Sequence, residues 1–218
     1  MKKISVVFVS VALALLMLGC DKPKKTYWEN GNLKSELRYN GDKLNGVCKW
    51  YYQNGNVRYS AHYVDNSLEG EFIRWYSNGV VQSVSWYKNN LLDSVCREYS
   101  DAGILIEEKW YKQGMLNGSY NQWYESGLPF AEGQYVNDTM NGIWIYLFEE
   151  GQIASRAEFD MGTGTQRGYR ANGQLNVEIP YKDNVKHGEV KYFDREGRHE
   201  KSMFYDYGEF VRQEEYGK

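Results

Sequence analysis

The residues of this 218-residue chain that could do chemistry are three histidines, two internal cysteines and several paired acids. His62, His187 and His199 stand far apart, and none has a second ligand or an acid at metal-site or proton-relay spacing. Glu107-Glu108, Glu149-Glu150 and Glu214-Glu215 are adjacent in sequence. Neighbours on a strand point to opposite faces, so these pairs make poor acid–base dyads. The glycines are spaced for turns, and no phosphate loop or nucleophile elbow occurs. The reading is therefore non-enzymatic, with no cofactor and no metal site. A net charge of −3 without an internal basic run argues against nucleic acid as a partner.

What is abundant instead is aromatic surface: 20 tyrosines and 7 tryptophans, against 3 prolines and 22 glycines. Tyr and Trp suit pleated, half-buried surfaces. Their positions are regular. Turn glycines recur at Gly31, Gly55, Gly79, Gly103, Gly127, Gly151, Gly173 and Gly197, at 24-residue intervals except for one of 22. Eight residues after each stands an aromatic: Tyr39, Tyr63, Tyr87, Tyr111, Tyr135, Phe159, Tyr181 and Tyr205. Fifteen after it a second glycine recurs as Gly46, Gly70, Gly118, Gly142 and Gly188, with Ser94, Gln166 and Arg212 in the other units. An apolar residue two places earlier is Leu44, Leu68, Leu92, Leu116, Met140 or Phe210.

Each unit reads as two strands and two turns. In NVRYSAHY, residues 56–63, period-2 alternation puts Val57, Tyr59, Ala61 and Tyr63 on one face. The tight turn carries Asn-Gly, a signal for a turn in which both central residues accept positive φ. VDNSLEG then reads as a wider loop, and EFIRWY as the return strand. Twenty-four residues leave no room for a helix. The expected fold is all-β: an elongated, twisted antiparallel meander, a solenoid of about eight β-hairpin units. Sixteen strands would extend roughly 75 Å.

Units such as YYQNGNVRYSAHYVDNSLEGEFIRW resemble the MORN-repeat variant of bacterial proteins, over about residues 27–216. The resemblance implies curved sheets of successive hairpins used as scaffolds or interaction surfaces. It also implies an antitoxin- or immunity-like role beside a toxin.

Three features refine this reading. The sixth unit, FEEGQIASRAEFDMGTGTQRG, lacks two residues and its apolar loop side chain, which predicts a short or missing return strand and altered curvature. Pro129 and Pro180 fall in first strands, where bulges must absorb the missing donor. Cys48 and Cys96 occupy equivalent positions two units apart. Four strands separate them by roughly 19 Å, too far for a disulfide, and both read as small packing residues.

The N-terminus differs from the rest. MKKISVVFVSVALALLMLGC has two lysines, an apolar run from Ile4 to Leu18, and Gly19-Cys20. It reads as a secretory signal over residues 1–19 whose ending resembles a lipobox, with Cys20 as the lipid attachment site. Residues 20–26 read as a lipidated tether, and residues 27–216 as the repeat domain. The expected location is the bacterial envelope, on a membrane.

Two sets of aromatics are candidates for function. The mid-unit series Tyr39 to Tyr205 reads as structural, stacking along the sheet. A second set near the tight turns, Trp28, Tyr51, Tyr52, Trp75, Tyr76, Trp123 and Tyr124, is the expected partner-binding surface. A protein partner is the first reading. A glycan or peptidoglycan is the alternative, weakened by the absence of clustered polar side chains around one aromatic platform.

Overall fold

The computed structural model describes residues 22–216. The signal segment and Cys20 lie outside the described residues. No helix among the described residues is long and apolar enough to cross a membrane.

The all-β expectation is borne out: the chain is an open antiparallel meander in which each strand pairs with its neighbours in sequence. Units are numbered one to eight by their turn glycines, and each has a first strand and a return strand. Unit two, for example, runs Val57–Val64 and Ser67–Trp75. One strand precedes the repeats. Lys24–Tyr27 pairs with Leu33–Leu37, so the sheet begins within the segment read as tether.

The two turns of a unit differ from their sequence reading. At the tight turn Gly55 N–H donates to Tyr52 O (3.0 Å) and Tyr52 N–H to Asn56 O (2.8 Å), while only Gly55 of the Asn-Gly pair has positive φ. Asn54 works through its side chain, accepting from Asn56 N–H (3.0 Å) and donating to Ser77 O of the next unit (2.8 Å). The wider loop is in fact a two-residue turn in which both residues have positive φ, as at Asp65 (48°) and Asn66 (69°). A two-residue bulge follows it. The register of unit two steps from Tyr63↔Leu68 to Ala61↔Phe72, and Gly70 (φ 79°) sits in the step.

The bulge explains the shortened unit. Unit six runs in unbroken register from Asp160↔Thr163 to Ser155↔Gly168, so its two missing residues are the bulge itself. Its return strand, Thr163–Tyr169, is short but present and pairs on both sides. Gly164 therefore faces Phe159 in the apolar slot. Gln166 pairs with Ala157, in the place where unit two has Phe72, and not in the second-glycine slot assigned from spacing.

Loss of the bulge draws units five and seven together along that edge. Elsewhere a turn side chain caps the preceding unit, as Asn66 Oδ1 does for Leu44 N–H (2.7 Å) and Asn90 Oδ1 for Leu68 N–H (2.7 Å). Asn184 of unit seven instead reaches across unit six to unit five. Its Oδ1 accepts from Met140 N–H (2.9 Å), and its Nδ2 donates to Asp138 O (3.1 Å). Gly162 makes this possible, because a Cβ there would stand 2.7 Å from Asn184 Oδ1 and 2.8 Å from its backbone nitrogen. Asn184→Ala is expected to lower stability by about 1–2 kcal/mol, because it orphans Met140 N–H. Urea unfolding against the parent measures this.

Both prolines sit where the ladder is already irregular. Pro129 opens its strand beside the shift at Gln122/Trp123. Pro180 stands at the bulge of unit seven, where its carbonyl still accepts from His187 N–H (3.1 Å).

Candidate functional site

Side chains alternate cleanly across the sheet. In Ile153–Asp160 the residues Ser155, Ala157 and Phe159 are buried, while Arg156, Glu158 and Asp160 between them are exposed. The face carrying the mid-unit aromatics is the ladder face, and the other is the outer face.

On the ladder face Tyr63, Tyr87, Tyr135 and Tyr205 each have their own unit's apolar residue on one side and the preceding unit's bulge glycine on the other. Tyr63 lies between Leu68 and Gly46. The second glycine recurs because the bulge holds it at positive φ, from 66° at Gly142 to 128° at Gly118, where a side chain would be strained. Rings join in two runs. Trp50, Tyr59, Phe72 and Tyr87 follow one another at centroid distances of 4.5, 5.8 and 5.8 Å. Tyr120, Tyr135 and Trp144 form a second group, with 5.9 Å and 5.0 Å between successive rings. Trp144, Ala157 and Phe159 form a buried cluster beside this second run. Of the eight ladder aromatics only Phe159 is buried; the seven tyrosines remain half-buried because no second layer among the described residues covers the sheet.

Between the two runs the face turns polar. Successive paired residues across the strands are Tyr59, Arg74, Ser83, Glu98, Glu107 and Gln122. Arg74 and Glu98 are exposed. Glu98 and Glu107 pair directly, a like-charge contact that costs stability. Lys109 relieves it through an ion pair with Glu107, and Tyr120 OH donates to Glu107 Oε1 (3.0 Å). Burial alone would lower the Lys109 pKa, but Glu107 outweighs it and the net shift is upward. Glu107 and Glu108 do point apart, since Glu108 pairs with Arg97 through Oε2 (2.7 Å).

Burial also pushes up the phenol pKa values of Tyr63, Tyr87, Tyr111, Tyr135 and Tyr181, and takes Tyr146 to about 12. The folded state therefore holds these protons more tightly than the unfolded chain, whose tyrosines ionise near pH 10. The stabilisation is complete below that pH and is lost as pH rises through the folded values. Tyrosine ionisation followed by ultraviolet absorbance is expected to be steep and to coincide with loss of sheet circular dichroism. Gradual ionisation near pH 10 with the sheet intact would contradict it.

The second aromatic set is tied into the framework. Tyr52, Tyr76 and Tyr124 each donate their hydroxyl to a carbonyl one unit on, at Trp75 (2.7 Å), Tyr99 (2.9 Å) and Leu147 (2.7 Å). Trp28 Nε1 does the same to Tyr51 O (3.2 Å), and Tyr51 OH bonds Glu36 (3.2 Å). Trp75 and Trp123 are half-buried beside them. These residues line the tight-turn edge as inter-unit ties, separate from the broad ladder face.

His187 is likewise structural. Its Nδ1 accepts from Tyr207 N–H (3.3 Å), the task of Glu69 toward Asn89 N–H (2.7 Å) and of Asn141 toward Met161 N–H (3.2 Å). His62 contacts Glu69 O (2.9 Å), and His199 contacts Ser202 Oγ (2.8 Å). Cys48 and Cys96 are free and buried, and burial raises both thiol pKa values. Among the described residues no group of three or more His, Cys, Asp or Glu could hold a metal ion.

Sequence reasoning passed over Trp86 and Trp110. Each directly precedes a ladder tyrosine, lies on the outer face and is 40% exposed. The signal was present in the repeated Trp-Tyr-Lys of residues 86–88 and 110–112.

Four segments, residues 21–40, 44–65, 68–89 and 163–183, match the MORN repeat variant. The last three span a return strand, a tight turn and the following first strand, half a unit out of phase with the numbering used above, and the first has Lys24–Tyr27 in place of the return strand. The fourth match takes in the return strand of the shortened unit. No curated protein matches the chain.

Proposed function

We propose that this chain is a non-enzymatic repeat scaffold that holds a protein partner along its ladder face. The observation that carries the reading is the half-burial of the seven ladder tyrosines on a sheet that no other layer of the described residues covers. Aromatic surface interrupted by exposed charge at Arg74 and Glu98 has the composition of a protein interface. MORN repeats are typically protein- or membrane-binding modules, which supports the same general role. In this reading Cys20 carries a lipid that anchors the scaffold in the cell envelope. The partner is then a toxin-like protein acting in the envelope or arriving from outside, and the scaffold is immunity-like.

The test is affinity isolation of the mature protein from its own cells, in parallel with Arg74→Glu/Glu98→Lys. The exchange keeps the net charge and alters only exposed side chains. A stoichiometric protein present with the parent and lost with the variant is expected; equal recovery would remove the ladder face as the docking surface. Cys20→Ser is expected to move the protein from the membrane to the soluble fraction. Unchanged membrane association would refute the anchor.

A further inference from the structure

The outer face of units three and four carries a surface that the ladder-face reading does not use. From the geometry there we infer that Trp86 and Trp110 form a platform for an extended β-1,4-linked glycan. The two indoles occupy equivalent positions in consecutive first strands, so two strand spacings, about 10 Å, separate them. That is the length of one disaccharide in such a chain. Alternate sugars of a β-1,4-linked chain turn the same ring face to one side, so a run laid across the strands would stack on both rings.

The surroundings fit that ligand. Val95 pairs with Trp110 and is buried, giving an apolar floor between the rings. Trp110 is seated at the bulge of its unit, where a Cβ on Gly118 would lie 2.8 Å from its own Cβ. Trp86 holds the same place beside Ser94, whose φ of 132° marks the same bulge. Pyranose rings present axial C–H bonds, an apolar and slightly positive surface that lies well on the negative face of an indole. Neither indole N–H has a protein acceptor among the described residues, so both remain available to sugar hydroxyls. Across the strands the platform is continued by hydrogen-bonding side chains. Glu71 pairs with Trp86 on one side, and Ser119 pairs with Gln134 on the other. The polar groups around one aromatic platform that spacing alone did not reveal are thus brought together by the register.

The experiment is sedimentation of the mature protein with insoluble chitin, cellulose and purified peptidoglycan, beside Trp86→Ala/Trp110→Ala and Trp86→Phe/Trp110→Phe. Retention on at least one polymer is expected, with at least tenfold weaker binding in the alanine pair and partial retention in the phenylalanine pair. The three polymers separate N-acetylated from plain sugars. Circular dichroism checks folding, because both side chains lie on the surface. Arg74→Glu/Glu98→Lys is expected to bind glycan normally, which separates failure here from failure of the protein-partner reading. No retention on any polymer, or retention unchanged in the alanine pair, would overturn the inference. So would a concentration-dependent dimer that the alanine pair abolishes, since the face would then be an interface between copies.

Discussion

Trp144→Ala is expected to cost about 3–5 kcal/mol, the range for removing a large aromatic from a packed site. Trp144 is the largest fully buried side chain among the described residues, at 1% exposure. Its ring meets Tyr120 at 5.4 Å, Tyr135 at 5.0 Å and Tyr146 at 6.2 Å, and Nε1 donates to Gln134 O (3.2 Å). Among the described residues no second layer stands ready to collapse into the space left behind. In a solenoid each unit is held by its neighbours, so the loss would loosen the junction of units four to six. Urea unfolding should show a lower midpoint and a broader or split transition. A loss below about 1 kcal/mol, with one sharp transition, would contradict the packing described.

Gly133→Val should destabilise by about 3 kcal/mol, at the upper end for overpacking. A Cβ at Gly133 would stand 2.2 Å from Trp144 Cδ2 and 2.4 Å from Cε2, so the indole must leave its site. Of the equivalent first-strand positions, Ala61, Ser85 and Ala157 are likewise small and face Phe72, Phe72 and Trp144, whereas Leu37, Lys109, Ile179 and Met203 fill the others. Glycine weakens a strand interior, and here that loss is offset by the buried tryptophan. The same substitution in the Trp144→Ala background is then expected to be neutral or stabilising, because the clash is gone and a side chain fills the gap. A double-mutant cycle measures the coupling, and additive losses would show that the two residues do not share one site.

The repeat, its strand order and its ladder were legible because they rest on glycine and aromatic spacing, which the backbone cannot ignore. Turn chemistry was less legible. Asn54-Gly55 has the letters of a turn with two positive-φ residues, yet Asn54 is used as a side-chain tie and only Gly55 turns the backbone. The two-residue bulge left no signature but Gly70 and its equivalents, so the deletion in unit six was read as a damaged return strand. Register shows that the bulge was removed and that Gln166 moved into the core row, bonding Ser155 (2.6 Å) and Tyr181 (3.1 Å). Lys24–Tyr27 was missed because four exposed residues with two lysines carry no alternating pattern. For the site, the aromatic clusters at the tight turns were conspicuous in sequence, but their polar ends are already used between units. Trp86 and Trp110 were hidden beside the more regular Tyr87 and Tyr111; alternation already put them on the opposite face, and the pairing shows that they line up with one apolar residue between them.

The most direct measurement is nitration of tyrosines in the folded protein, read residue by residue by mass spectrometry, with and without the isolated partner. The expected result is reaction at Tyr63, Tyr87, Tyr111 and Tyr135 in the free protein and protection of a contiguous run of them in the complex. Unreactive ladder tyrosines in the free protein, or equal reactivity with the partner bound, would contradict the ladder face as an open docking surface.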